Sequence, residues 1–444
     1  MGIFHFRNLN ELIWLPTFFI AFIMGNAALN IFILLAIIYL VFNYKKITLP
    51  INISIYLLLL FFCYVFFIGF FYDEVNLKNI SQLRFFFLIY FFFFLRKNSQ
   101  KFDSNLVLIS NIFLILISID IIIQEKFLID LFGFKLANGI PTGPFENEVA
   151  GSFISKIFFC SGAYIFLKTD QLNKKRILII LLSFLAITLS TERMSFFHSS
   201  IVLLSLILFE LFIKKNIKKT IMIFFVSILM FFYLFFFNES FKINFIGKTI
   251  NQIGLYKTSY RIIDNTKVVN LVIIPDDANR KFLDREFPKA SFYSYKTWGF
   301  ENNEVTNPHK KLFNSAVQIF KQNPYFGSGV KSFFQKCNNN LKLNKNLNLY
   351  ICSTHPHNIH IQILSETGLF AYILFIIVIS YIIYSSSKNF LKNKKIYQLG
   401  YLVGFIVLLL PLPSGNFFGT WPGSFFWFIL SLNIYENNNL KKNF

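Results

Sequence analysis

Long apolar runs follow one another along most of this chain, and nearly every second turn between them is crowded with lysine and arginine. No other feature restricts the fold so strongly. A run of about 20 apolar residues is stable as a helix across a bilayer, where every backbone polar group must bond within its own segment. Candidate spans are 12–25, 27–44, 51–72, 80–95, 105–123, 151–167, 177–190, 195–213, 220–237, 366–386, 397–412 and 422–435. Only Gly25-Asn26 separates the first two, which leaves open two tilted short helices or a hairpin.

The basic turns orient the spans. With the N-terminus inside, the inner turns hold Lys45-Lys46, Arg96-Lys97 with Lys101, and Lys168 with Lys174-Lys175-Arg176. They also hold Lys214-Lys215 with Lys218-Lys219, Lys388 through Lys395, and Lys441-Lys442. The short outer loops carry little beyond Lys78, Lys126, Lys135 and Arg193. This positive-inside pattern places the long polar segment 239–358 outside the cytoplasm. The expectation is an all-α polytopic membrane protein of about 12 transmembrane helices, with one large periplasmic loop between spans 9 and 10. Residues 1–238 carry spans 1–9, residues 239–358 form the loop domain, and residues 359–444 carry spans 10–12. The first apolar run ends in no small-residue cleavage site and is read as an anchor.

A net charge of +21 would suit a nucleic-acid binder, but the charges flank apolar runs, so that class is set aside. The 63 phenylalanines accompany much Ile, Asn and Lys, all favoured by AT-rich codons, and are read as compositional drift rather than a binding device. Within 239–358, 17 basic residues stand against 8 acidic ones, which fits either a solvated surface or an anionic partner at the membrane face. Val268 to Ile274 reads as a strand. Asn307-Pro308 opens a helix with Leu312, Phe313, Ala316, Val317 and Phe320 at helical spacing, and Asn323-Pro324 closes it. Cys337 and Cys352 share this segment and are either disulfide-bonded or two thiols, whereas Cys63 and Cys160 are packing.

Three places carry charge where a membrane protein can ill spare it. Arg84 lies inside span four, either reaching for headgroups or awaiting a ligand. Arg193 stands where spans seven and eight meet, either paired with Glu192 or open as a forked clamp for phosphate. The turn Ser353-Thr354-His355-Pro356-His357-Asn358-Ile359-His360 puts three imidazoles beside a span. Pro356 suits a first helical turn, which would place His357 and His360 on one helical face. Metal binding by these histidines is the rival to proton transfer.

In this order the motifs resemble the O-antigen ligase and polymerase superfamily. Arg193 ends a span, Asn323-Pro324-Tyr325-Phe326-Gly327-Ser328-Gly329 follows in the loop, and His357-Asn358 leads through Glu366 and Gly368 into the next span. Gly143-Pro144-Phe145-Glu146-Asn147 is similar to a further loop motif of the family. The resemblance implies a glycosyltransferase of the bacterial inner membrane with its active site on the periplasmic face. It would move a glycan from polyprenyl (undecaprenyl) pyrophosphate to a lipid A-core sugar, with inversion and without metal or cofactor. His357 and Arg193 would be catalytic. Arg84, Arg193, Asn358, His355, Lys310, Lys311 and Arg261 are the candidates for binding pyrophosphate or glycan. The family's second loop arginine has no counterpart; His309, Lys310 and Lys311 stand there, with Arg261 and Arg280 to Arg285 further back. Partners would be the lipid-linked glycan, its acceptor and the bilayer, with no nucleic acid. The alternatives are a polymerase that joins repeat units on the carrier, a protein glycan transferase and, in another class, a twelve-span transporter.

Overall fold

The computed structural model describes residues 11–46, 52–71, 77–137, 140–146, 150–162, 174–212, 308–343 and 352–435, three strands between 256 and 298, and isolated positions between 217 and 236. In chain order the first helices are α1 Glu11–Met24, α2 Asn26–Phe42, α3 Ile53–Ile68, α4 Leu77–Ile80, α5 Leu83–Asn98 and α6 Phe102–Phe127. They continue with α7 Ala150–Ser161, α8 Lys174–Leu189 and α9 Arg193–Phe212. The strands are β1 Tyr256–Asp264, β2 Lys267–Val272 and β3 Ser291–Trp298. Five further helices are α10 Pro308–Gln322, α11 Phe333–Leu343, α12 Ile359–Asn393, α13 Ile396–Leu408 and α14 Thr420–Leu432. Spans nine and the 280–285 cluster fall largely or wholly outside the described residues.

Among the described residues four helices are long and apolar enough to cross a membrane: Lys78–Asn98, Phe102–Phe127, Arg193–Phe212 and Ile359–Asn393. Shorter apolar helices pack between them. The helices are apolar all round, as expected where lipid replaces water. Ile31, Leu34 and Leu35 of α2 are exposed, while Phe32, Ile33 and Ala36 face the core. α1 and α2 fold back on each other about Gly25, so the short first pair is a packed hairpin. Its phenylalanines are structural material. Phe18 and Phe92 each meet the Phe428 ring at 4.6 Å, joining α1, α5 and α14. An ion pair, Arg96 to Asp103 at 3.1 Å, joins the end of α5 to the start of α6.

The loop segment has its own small architecture. β1 is the centre of a three-stranded antiparallel sheet of order β2-β1-β3, and β2 coincides with most of the strand expected from 268. α10 matches the predicted helix; Leu312 and Ala316 are buried, but Phe313 faces outward. A satellite core of Leu312, Ala316, Ile319, Phe333 and Ile361 ties α10 and α11 to the start of α12. The Cys337–Cys352 disulfide, expected as one of two possibilities, borders it. Cys160 is buried and unpaired, as a packing cysteine should be.

α12 is two helices in one. Its 35 residues would span about 50 Å at 1.5 Å per residue. The run breaks at Gly368, where φ is 80° and ψ 179°. The break frees backbone groups, and the Gly327-Ser328-Gly329 loop satisfies them. Ser328 N donates to Ser365 O at 3.0 Å and Gly329 N to Glu366 O at 2.8 Å, while Leu369 N donates to Pro324 O at 2.8 Å. Two motifs far apart in sequence thus complete one broken helix. The carboxylate of Glu366 adds to the joint by accepting from Lys331 N at 2.9 Å and Phe333 N at 3.4 Å, next to the first turn of α11.

Candidate functional site

This docking fixes one wall of a cavity of about 1450 Å³ between the helix ends. The α8–α9 turn supplies Glu192 and Arg193, and α7 supplies Ser152 and Lys156. The histidine turn supplies His355 and His357, the 324–332 loop supplies Lys331, and the start of α14 supplies Thr420 and Trp421. Phe145 and Phe153 stack at 3.6 Å, and Phe153 meets Trp421 at 4.0 Å, so one side is aromatic.

Arg193 begins α9 and faces this space. Its Nη1 is buried without a hydrogen-bond partner among the described residues. The alternative of an Arg193–Glu192 ion pair is not realised, since no such contact lies within 4 Å among the described residues. Glu192 lies against Gly151, whose added Cβ would stand 2.5 Å from the Glu192 Cβ. Burial pushes the Glu192 carboxyl up, opposed by Lys156 and then Arg193.

The histidine turn divides its labour in a way spacing did not reveal. Helix α12 begins at Ile359, capped by Asn358, whose side chain accepts from Ile361 N at 3.2 Å. His357 therefore precedes the helix, with φ 54°, and does not share a helical face with His360. The helix starts later than Pro356 suggests because Asn358 is a better cap than His355, which a start at Pro356 would use. His360 Nε2 donates to Leu409 O at 2.6 Å, which leaves Nδ1 to accept from the Tyr372 hydroxyl at 3.2 Å. His355 Nε2 likewise faces Ser414 O at 3.3 Å, and its Nδ1 accepts from Thr354 at 3.0 Å. Burial, followed by the neighbouring His357, lowers His355 to about 4. The His357 ring lies against it at 4.0 Å and lines the cavity. Both rings line the cavity. The three imidazoles do not converge on a common ligand point, and among the described residues no group of three His, Cys, Asp or Glu is placed to hold a metal ion.

Arg84 is engaged elsewhere. Its Nη1 donates to Asn30 Oδ1 and its Nη2 to Thr420 Oγ1, both at 2.9 Å. It braces α2 against α14 behind the cavity-lining Thr420. Lys311 lies on α10 and is not among the lining residues. The backbones of Arg261 and Lys310 lie on β1 and in the first turn of α10, and their side chains fall outside the described residues. Among the described residues the loop cation that lines the cavity is Lys331, which has φ 58° and whose backbone N donates to Glu366. Burial lowers its ammonium, as do Arg84 and Lys78, against the pull of Glu366. The signal was available, since Lys331 stands two residues beyond the Gly327-Ser328-Gly329 turn. Lys156, Trp421 and the two cavity carboxylates Glu146 and Glu192 were not singled out as site residues by sequence pattern, because each comes from a different stretch of the chain.

Residues 178–376 match the O-antigen ligase family model, and this match supports the O-antigen ligase superfamily. The matched stretch contains Arg193, both interlocking glycines, Lys331 and the histidine turn, and stops short of Lys156 and Trp421. No curated protein matches the chain.

Proposed function

We propose that this membrane protein transfers a finished glycan from polyprenyl (undecaprenyl) pyrophosphate to a lipid A-core sugar hydroxyl. In this reading it has about twelve spans in the inner membrane, and the cavity opens on the periplasmic face. The observation that carries the proposal is the buried, unpartnered Arg193 Nη1 in the wall of a cavity shared with His357. A buried donor left without an acceptor is costly, and the planar fork of a guanidinium matches two oxygens of a phosphate ester.

The chemistry then runs as one displacement. The acceptor hydroxyl attacks the anomeric carbon of the donor sugar from the face opposite the pyrophosphate. The bond from that carbon to the phosphate oxygen breaks and its electron pair leaves with the polyprenyl pyrophosphate. The hydroxyl proton passes to the His357 imidazole, which His355 supports from behind. Arg193 and Lys331 meet the charge that grows on the departing pyrophosphate, and Arg84 adds to the local field without contact. One displacement inverts the anomeric centre. Because fixed cations take the leaving-group charge, EDTA is expected to leave the rate unchanged.

Reconstituted protein with a labelled glycan donor tests the reading. Arg193→Lys keeps the charge and loses the fork, and is expected to lower transfer about 100-fold, the scale of losing one preorganised donor. Core lipid offered as acceptor should yield capped lipid, whereas donor alone lengthening its own glycan would assign the polymerase reaction. A wild-type protein inert with both acceptors, or an Arg193→Lys protein at full rate, would remove the proposal.

A further inference from the structure

We infer that Lys156 is a second phosphate-binding residue, a cation from α7 that grips the same anionic group as Arg193. The inference rests on the proposed function and on geometry outside the matched family stretch. The Lys156 Nζ donates to Ser152 Oγ at 2.6 Å and to Ser152 O at 3.1 Å, one turn earlier on the same helix. An ammonium has three donors, so one remains after both bonds. The group also stands 4.5 Å from the centroid of the Trp421 ring, whose face attracts a cation.

Each of these partners is neutral. Among the described residues no carboxylate lies within 4 Å of Lys156, and Glu192, whose charge acts on it, also acts on Arg193. Two cations and one carboxylate therefore share this part of the wall, an excess of positive charge in a largely apolar bundle. Such an excess persists where an anion is to be received. Ser152 and Trp421 both line the cavity, as Lys156 does, so the ammonium is aimed rather than buried idly. The expected ligand is a phosphate ester or pyrophosphate on a lipid, with the aromatic face of Trp421 and Phe153 beside it.

Binding of undecaprenyl pyrophosphate to the full chain in nanodiscs measures this directly. Lys156→Met is expected to weaken binding about 10- to 100-fold, the loss of one hydrogen bond to a charged group. Undecaprenol, with the same tail and no phosphate, should bind Lys156→Met and the unaltered protein alike. Phosphatidylglycerol in the disc should not compete. Equal loss for undecaprenol would show a merely structural lysine, and equal competition by phosphatidylglycerol would assign the ammonium to headgroups; either overturns the inference, as does unchanged carrier binding. In the unaltered protein the carrier should also shield Lys156 from an amine acetylating reagent read by mass spectrometry. Equal acetylation with and without carrier, or none in the free protein, would overturn the inference even if Lys156→Met fails to accumulate. If Arg193→Lys loses the carrier while Lys156→Met keeps it, the functional reading stands and this inference falls. If the unaltered protein binds no carrier, both fall.

Discussion

His357→Ala is expected to reduce glycan transfer about 100- to 10,000-fold, the usual contribution of a positioned acid or base, while the protein inserts at normal levels. The expectation follows from where the histidines lie: His357 lines the cavity together with Arg193 and Lys331, whereas His360 is not part of its wall. His360 has both nitrogens engaged, by Leu409 O and the Tyr372 hydroxyl, and His355 is bonded to Thr354 and Ser414. His355→Ala should therefore cost less and act through the orientation of His357, whose ring lies 4.0 Å away. His360→Ala should be felt mainly as lost packing. The measurement is capped lipid against carrier-linked glycan in membranes of each variant. Full transfer by His357→Ala would end its assignment as base and turn attention to Glu146 and Glu192, the carboxylates lining the same cavity.

The largest effect on the fold is expected at the break in α12. At Gly368 an added Cβ would stand 2.2 Å from Tyr325 O and 2.5 Å from Gly327 N, and at Gly327 it would stand 2.4 Å from Thr367 N. These are backbone atoms and cannot swing aside. Both positions also have positive φ, 80° and 75°, which adds strain for any side chain. Gly368→Ala and Gly327→Ala should each cost more than about 3 kcal/mol, since overpacking and backbone strain add. Gly133→Ala is the control. Its φ is 88°, but no atom lies within 4 Å, so only the strain of about 1–2 kcal/mol applies. Thermal unfolding of the purified variants in detergent compares the three. A Gly368→Ala protein as stable as Gly133→Ala would show that the loop does not hold the break. Loss of docking should also slacken Lys331 and the histidine turn, so transfer should fall with stability.

The motifs that suggested chemistry thus separate into two kinds. Glu366, Gly327 and Gly368 hold backbone to backbone, while Arg193, His357 and Lys331 line the cavity. Spacing alone could not sort them, because a glycine needed for a close approach and one needed for a ligand look alike in a sequence. The late start of α12 was missed for a related reason: Pro356 and Asn358 are both good initiators, and only the bond from Ile361 N to the Asn358 side chain decides between them.

Sequence by itself determined the helical membrane character, since apolar length and the backbone's need for internal hydrogen bonds act locally. It also determined α10 and the order of motifs that supports the family, and it narrowed the two loop cysteines to a pair able to bond. Tertiary structure decided that they do bond, that Arg193 and Glu192 form no ion pair within 4 Å, and that Arg84 braces helices where Lys331 lines the cavity. It alone brought Lys156 beneath Trp421, two residues 265 positions apart. The physical reason is that a helix end is written in a few adjacent residues, whereas a cavity between helix ends depends on which ends meet, and that is fixed by packing across the whole bundle.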